Sequence, residues 1–207
     1  MASPTRTRHA MTLEEFLKLP EEKPSLEFID GRIEAKDMPE IKHSVLTVRL
    51  SNHLNQFAEP LDLGLAVPEL RCSFAGRSVV PDVAFLLYDH VPETEDGNLG
   101  GQYFLPADIH VEIISPDRTV RRSHEKLIHA TSHGCPLGWL IHPEKKTVDV
   151  YRPNAVPERL PDDGSLTGEP VLPEYRLAVA ELFGWLRRGP RRNVPQNPIP
   201  TPGADPG

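Results

Sequence analysis

Residues 109 to 114 read Ile-His-Val-Glu-Ile-Ile, a nearly continuous apolar run that ends at Ser115-Pro116-Asp117. A short apolar run bounded by turn residues predicts a buried β-strand. Residues 79 to 85, Val-Val-Pro-Asp-Val-Ala-Phe, form a second run of this kind, which also carries an acid. An ionised carboxylate in a buried strand is costly unless a cation or hydrogen bonds compensate it. Asp82 and Glu112 are therefore the residues whose positions most need an explanation.

Helical and strand patterns surround these two runs. Thr12 followed by Glu15 resembles a capping box that opens a short helix. Asp30-Gly31 between two apolar segments predicts an N-terminal β-hairpin. The remaining predicted elements are helices at 41–57, 122–132 and 178–186, and strands at 65–74, 78–87, 139–141 and 147–151. This order predicts an α/β fold, in which helices flank both faces of a mixed β-sheet.

Length and composition predict one folded domain over residues 11–188 of the 207. Residues 1–10 are expected to be a flexible N-terminus, and residues 189–207, with six prolines, a disordered tail. The net charge of -7 argues weakly against a protein that coats nucleic acid through its overall charge. The chain has no apolar run long enough for a membrane span and no secretory signal, so a cytoplasmic location is predicted.

Two acids on neighbouring strands could together ligate one divalent ion. Mg²⁺ suits such a pair, because it takes one or two carboxylates and completes its shell with water and phosphate. Without a metal, Asp82 and Glu112 would repel each other. The alternative is that each acid points outward from an edge strand or caps a helix. That alternative is favoured for either acid alone, whereas the two together slightly favour a metal site.

Pro81-Asp82, followed thirty residues later by the strand acid Glu112, resembles the signature of the PD-(D/E)XK nuclease superfamily. That signature usually has a lysine two residues after the acid, where this chain has Ile114. A narrower resemblance, over about residues 11 to 186, is to the Uma-two family of restriction endonucleases. It is carried by Met11 to Gly31, His43, Glu112-Ile113-Ile114-Ser115-Pro116, Glu125-Lys126-Leu127, Gly134, Trp139 and Pro143. In that family the strand lysine has moved to the following helix, and Lys126 stands at the matching place.

The resemblance implies a restriction-endonuclease-like fold and a DNA endonuclease dependent on Mg²⁺ or Mn²⁺, acting as a homodimer. Asp82 and Glu112 would hold the metal, and Lys126 would be the third catalytic residue. Glu27 and His43 are each either site residues or ordinary structural ones. The chain departs from the family pattern at Arg122, Ala130, Leu137-Gly138 and His142. These departures and the acidic charge favour one alternative, a catalytically silent module that binds nucleic acid or a protein. Another is an enzyme acting on RNA or small nucleotides.

His129 and His133 stand four residues apart, so a helix would place them on one face. Two histidines make only half of a zinc site. The sequence therefore favours a packing or surface role for this pair.

Overall fold

The computed structural model describes residues 11–36, 38–115 and 120–188. The predictions of a flexible N-terminus at residues 1–10 and of a disordered tail at 189–207 fall outside these residues. Among the described helices, none is both long enough and apolar enough to cross a membrane.

The first two predicted elements are present. Helix α1 spans Leu13–Phe16, and its capping box is complete, since Thr12 and Glu15 each accept a hydrogen bond from the other's backbone N–H. Strands β1 (Leu26–Ile29) and β2 (Arg32–Ala35) pair antiparallel across Asp30 and Gly31. Asp30 and Gly31 both have positive φ, 49° and 79°. This is the backbone conformation of the two-residue hairpin turn whose twist matches that of the flanking strands.

Helix α2 spans Ile41–Ala58, close to its predicted bounds. Its buried apolar residues recur at helical spacing, at Leu46, Leu50, Leu54 and Ala58. This face packs against the main sheet and forms one side of the largest apolar core.

The two long strands predicted in the middle of the chain are in fact four. They are β3 (Gly64–Pro68), β4 (Cys72–Phe74), β5 (Arg77–Val79) and β6 (Val83–Leu87). The predicted pairing is correct, because β3 pairs with β6 and β4 with β5, but the two pairs belong to different sheets. Pro68 and Pro81 stand at the breaks, where a residue without an N–H cannot continue a ladder.

The next elements form a strand–helix–strand unit. Strand β7 (Ile109–Ile113) is followed by helix α3 (Val120–Ser132) and strand β8 (Leu137–His142), which runs parallel to β7. Strand β9 (Thr147–Tyr151) then pairs antiparallel with β8. All four were predicted with nearly these bounds.

The region between residues 152 and 178 holds three strands that the sequence analysis did not identify. They are β10 (Glu158–Arg159), β11 (Ser165–Gly168) and β12 (Leu172–Ala178). Strands β11 and β12 pair with a bulge at Thr167 and Gly168. The final helix, α4, spans Val179–Gly184, shorter than predicted.

The main sheet has six strands in the order β10-β9-β8-β7-β6-β3, and a second sheet has the order β2-β1-β5-β4. Ile109, Val111 and Ile113 of β7 face the core that also contains residues of α2 and α4. Leu127 of α3 packs instead with Leu140 of β8, on the opposite face. Helices therefore flank both faces of a mixed sheet, as predicted. Since side chains alternate along a strand, Glu112 lies on the α3 side.

His129 has the packing role that the sequence favours. Its ring stacks on Phe74 with centroids 5.1 Å apart and lies 4.4 Å from the ring of His133. Burial, with smaller contributions from Arg77 and His133, lowers the pKa of His129 to about 4. The folded protein therefore holds this imidazole neutral well below the pH at which an unfolded histidine takes up a proton.

We expect this histidine to make stability depend on pH. Because its folded pKa lies below its unfolded value, its contribution is complete above about pH 6.5 and is lost as the pH falls toward 4. His129→Leu should reduce the slope of unfolding free energy against pH in this range by up to about 1.4 kcal/mol per pH unit. Urea unfolding from pH 7 to 4.5 measures both slopes, and equal slopes would contradict the assignment.

Candidate active site

Asp82 and Glu112 lie side by side at the ends of two paired strands. Strands β6 and β7 are antiparallel with Val83 opposite Val111, and the N–H of Asp82 donates to the carbonyl of Val111 (3.0 Å). The N–H of Ile113 donates to Asp82 Oδ2 (2.7 Å). Both carboxylates are fully buried. The structure therefore brings these two acids together in the buried strands that the sequence predicts.

Lys126 extends from α3 onto the same group. Its Nζ lies 2.6 Å from Glu112 Oε1 and 2.7 Å from Glu27 Oε1. It also donates to the carbonyl of Val80 (3.2 Å), and the residue is only 1% exposed. An ordinary solvated helix lysine, the alternative for this residue, is excluded by this burial.

Glu27, whose role the sequence left open, is a buried member of this cluster. Its Oε1 accepts a hydrogen bond from the N–H of Val80 (2.8 Å), and its Oε2 lies 3.1 Å from Arg122. Burial by itself raises the pKa of Glu27, but the ammonium of Lys126 and its hydrogen bonds outweigh burial and hold that pKa below its usual value. Glu27 is therefore an ionised partner that, together with Glu112, fixes the position of the Lys126 ammonium.

Asp82 has its own basic partners. Lys36 Nζ, almost fully buried, lies 2.8 Å from Asp82 Oδ1, and His43 Nε2 lies 3.1 Å from Oδ2. The Lys36 contact is an ion pair by distance, although its angles are not those of a directed hydrogen bond. His43 thus contacts a carboxylate of the candidate site. Lys36 was not anticipated, because only the folded hairpin brings it to Asp82.

Charges of both signs alternate through the cluster. The buried acids are Glu27, Asp82 and Glu112, and among the described residues the lysine and arginine side chains that contact them are Lys36, Arg122 and Lys126. His43 also contacts Asp82, and His110 contacts Glu112. Asp82 and Glu112 are therefore not left uncompensated when no metal is bound. A lysine ammonium lies against each of these carboxylates and offsets its charge.

A family model described as "Uma2: Putative restriction endonuclease" matches residues 13–180. The chain belongs to this family. The chain is also similar to a solved structure from Anabaena variabilis, titled as a putative nuclease belonging to DUF820. The two are 35% identical, with a TM-score of 0.83, over 86% of this chain and 99% of the other. No curated protein matches the chain.

Arg122, a departure from the Uma2 pattern, is part of the cluster. Besides Glu27, its guanidinium lies 3.0 Å from Glu34 Oε2, and it donates to the carbonyl of Ala35 (3.3 Å). Arg122 therefore ties α3 to the N-terminal hairpin and supports the residue that holds Lys126. The substitution leaves the charge pattern of the site intact.

Three of the other departures from the Uma2 pattern, Ala130, Leu137 and Gly138, are accommodated by packing. Ala130 and Leu137 are fully buried in apolar clusters. A Cβ on Gly138 would lie 2.8 Å from Leu127 Cδ2 and 3.2 Å from Tyr151 Cβ, so these two side chains occupy the space that an aromatic residue would need. The departures change the core beneath the site and leave its charged residues in contact.

The donor chemistry of the site fits a hard divalent ion. Asp82 and Glu112 are buried carboxylates on neighbouring, paired segments, and Mg²⁺ uses one or two carboxylate ligands together with water and phosphate. Within residues 11–36, 38–115 and 120–188, no three His, Cys, Asp or Glu side chains form a metal cluster. These residues therefore fit an ion that is held by two protein carboxylates and completes its coordination with water and phosphate. They do not form a site in which the protein supplies every ligand.

Proposed function

We propose that this chain is a divalent-metal-dependent nuclease that hydrolyses phosphodiester bonds, with DNA as its substrate. The observation that carries the proposal is the position of Lys126, buried between Glu27 and Glu112 next to the Asp82 strand. Membership in a family of this description supports the same reaction class.

Asp82 and Glu112 are the residues that would hold Mg²⁺ or Mn²⁺. A bound ion supplies polarisation of the scissile phosphate and acidifies a water molecule. Lys126 offsets the negative charge that grows on the phosphate oxygens, and its ammonium can donate to the attacking water. Glu27 holds Lys126 in place through an ion pair, while His43 contacts Asp82 and fixes the orientation of its carboxylate.

A second candidate function is a silent nuclease-fold module that binds nucleic acid or a protein without cleaving. The observation that favours it is the contact of Lys36 with Asp82, because the ammonium pairs with a carboxylate oxygen that would otherwise be available to a metal ion. Calorimetric titration with Mg²⁺ and Mn²⁺ separates the two functions, since a silent module does not require a metal.

The test is incubation of the purified protein with supercoiled plasmid and, in parallel, with RNA, each with Mg²⁺ or Mn²⁺. We expect the wild type to nick or linearise the plasmid, EDTA to stop cleavage, and Asp82→Ala to be inactive. Circular dichroism must show that the variant is folded, because Asp82 is a buried, ion-paired residue. Metal binding without cleavage of either nucleic acid would contradict the nuclease proposal.

Homodimer formation, a cytoplasmic location and a dispensable tail remain predictions from the sequence and the family. A dimer would supply two sites related by a two-fold axis, as cutting both DNA strands requires.

A further inference from the structure

The candidate site and a group of exposed basic residues both lie at one end of the strands of the main sheet. Strands β7 and β8 are parallel, with Glu112 opposite Leu140 and Ile113 opposite Ile141. The C-terminal ends of β7 and β8 therefore lie at the same end of the sheet. The turn after β8 contains Lys145 and Lys146, both exposed, so this turn follows the strand next to Glu112.

The start of α2 joins this turn to the site. Lys42 Nζ lies 2.6 Å from Glu144 Oε1 in the turn. The next residue along α2 is His43, whose Nε2 lies 3.1 Å from Asp82 Oδ2. Two consecutive residues thus contact the basic turn and a site carboxylate, which places the turn near the reacting groups.

A cleft of about 510 Å³ lies between this turn, the start of α2 and the end of α4. Its charged lining residues are Lys42, Lys145, Lys146, Arg187, Glu144 and Asp162. Positive groups exceed negative ones by two here, in a chain whose formal net charge is -7. Among the described residues, neither Lys145 nor Lys146 forms an ion pair within 4.0 Å, whereas Lys42 is paired with Glu144.

We propose that this cleft binds the phosphate backbone of the nucleic acid beside the site, an inference that rests on the proposed nuclease function. A phosphodiester backbone is a row of negative charges, and exposed lysines bind it by releasing its counterions. Such contacts position the substrate without reading its sequence. The rest of the surface is acidic and repels the same backbone. The excess of positive charge in the cleft therefore favours binding of nucleic acid there over other parts of the surface.

The experiment compares Lys145→Ala/Lys146→Ala with Lys18→Ala/Lys23→Ala. The control pair is exposed and changes the net charge equally, but both of its residues lie in the turn and loop between α1 and β1. Fluorescence anisotropy measures the Kd for a labelled DNA duplex and for a labelled RNA strand, in EDTA, at several salt concentrations. We expect the Lys145/Lys146 variant to bind at least about tenfold more weakly. Its slope of log Kd against log salt should be shallower by about 1.8 for duplex DNA, since each lost phosphate contact removes about 0.9.

Equal losses in the two variants would overturn the inference, because overall charge rather than this cleft would then explain binding. If the wild type cleaves plasmid while the Lys145/Lys146 variant binds like the wild type, the cleft assignment fails and the nuclease function stands. A selective loss of binding without any cleavage by the wild type would support the cleft and refute the nuclease. If the wild type binds neither nucleic acid, the inference is refuted. If it binds one of the two more tightly, that nucleic acid is the one whose phosphate backbone the cleft binds.

Discussion

Lys126→Met should lower the free energy of unfolding by about 3 to 5 kcal/mol, the cost of removing one partner from a buried ion pair. The ammonium of Lys126 lies within 2.7 Å of Glu27 and of Glu112, and all three side chains are buried. Methionine preserves most of the side-chain volume, so the loss reports the charge rather than a cavity. Urea unfolding at neutral pH in EDTA measures it.

Two comparison variants make this result specific. Lys146→Met removes an exposed lysine and should change stability by no more than about 0.5 kcal/mol. Adding Glu27→Gln to Lys126→Met should recover part of the loss, because it removes one of the two carboxylates left without the shared ammonium. A loss below about 1 kcal/mol for Lys126→Met would show that the pair contributes far less than buried pairs generally do.

Lys126→Ala should also reduce DNA cleavage by at least about a hundredfold, the scale on which removing one transition-state donor acts. Binding of Mg²⁺ should persist, since Asp82 and Glu112 are unchanged. Ile114 lies two residues after Glu112 and packs beside Leu127 and Leu140 on the α3 side of the sheet. A lysine there would extend from the same face, so Ile114→Lys in the Lys126→Ala background should restore part of the rate.

Arg122→Met is the matched variant for this experiment. Arg122 lies one turn before Lys126 on α3 and contacts Glu27, but no ion pair joins it to Glu112 within the described residues. Its substitution should cost less activity than Lys126→Ala at a temperature where circular dichroism shows both proteins folded. Wild-type cleavage rates in Lys126→Ala would refute a catalytic role for this lysine.

The elements that the sequence predicted well are those with strong local signals. The capping box at Thr12, the Asp30-Gly31 turn and the helical spacing of Leu46, Leu50 and Leu54 each specify a conformation over a few residues. The middle strands were predicted as too long because the breaks near Pro68 and Pro81, where pairing changes from one sheet to another, were not recognised in the sequence. Strands β11 and β12 depend on pairing with each other and on core contacts of Leu166 and Leu177.

The candidate site residues differ in how far the sequence could single them out. Asp82 and Glu112 were identifiable on physical grounds, because an acid in an apolar strand requires compensation. Lys126 was identified only through family resemblance, since a helix lysine is most often solvated. Lys36 gave no signal at all. It follows the hairpin, and its contact with Asp82 exists only after the N-terminal sheet has packed beside the main one.

The lysines of the site have a consequence for the order of folding and metal loading. In many small metalloproteins the ion supplies folding free energy, and the chain unfolds when the ion is removed. Here Lys36 and Lys126 already neutralise the acids that an ion would contact. We therefore expect the chain to complete its fold before any metal ion binds. Under the proposed nuclease function, an ion that binds Asp82 Oδ1 would displace the Lys36 ammonium, and metal would act as a late, reversible activator rather than as a structural component.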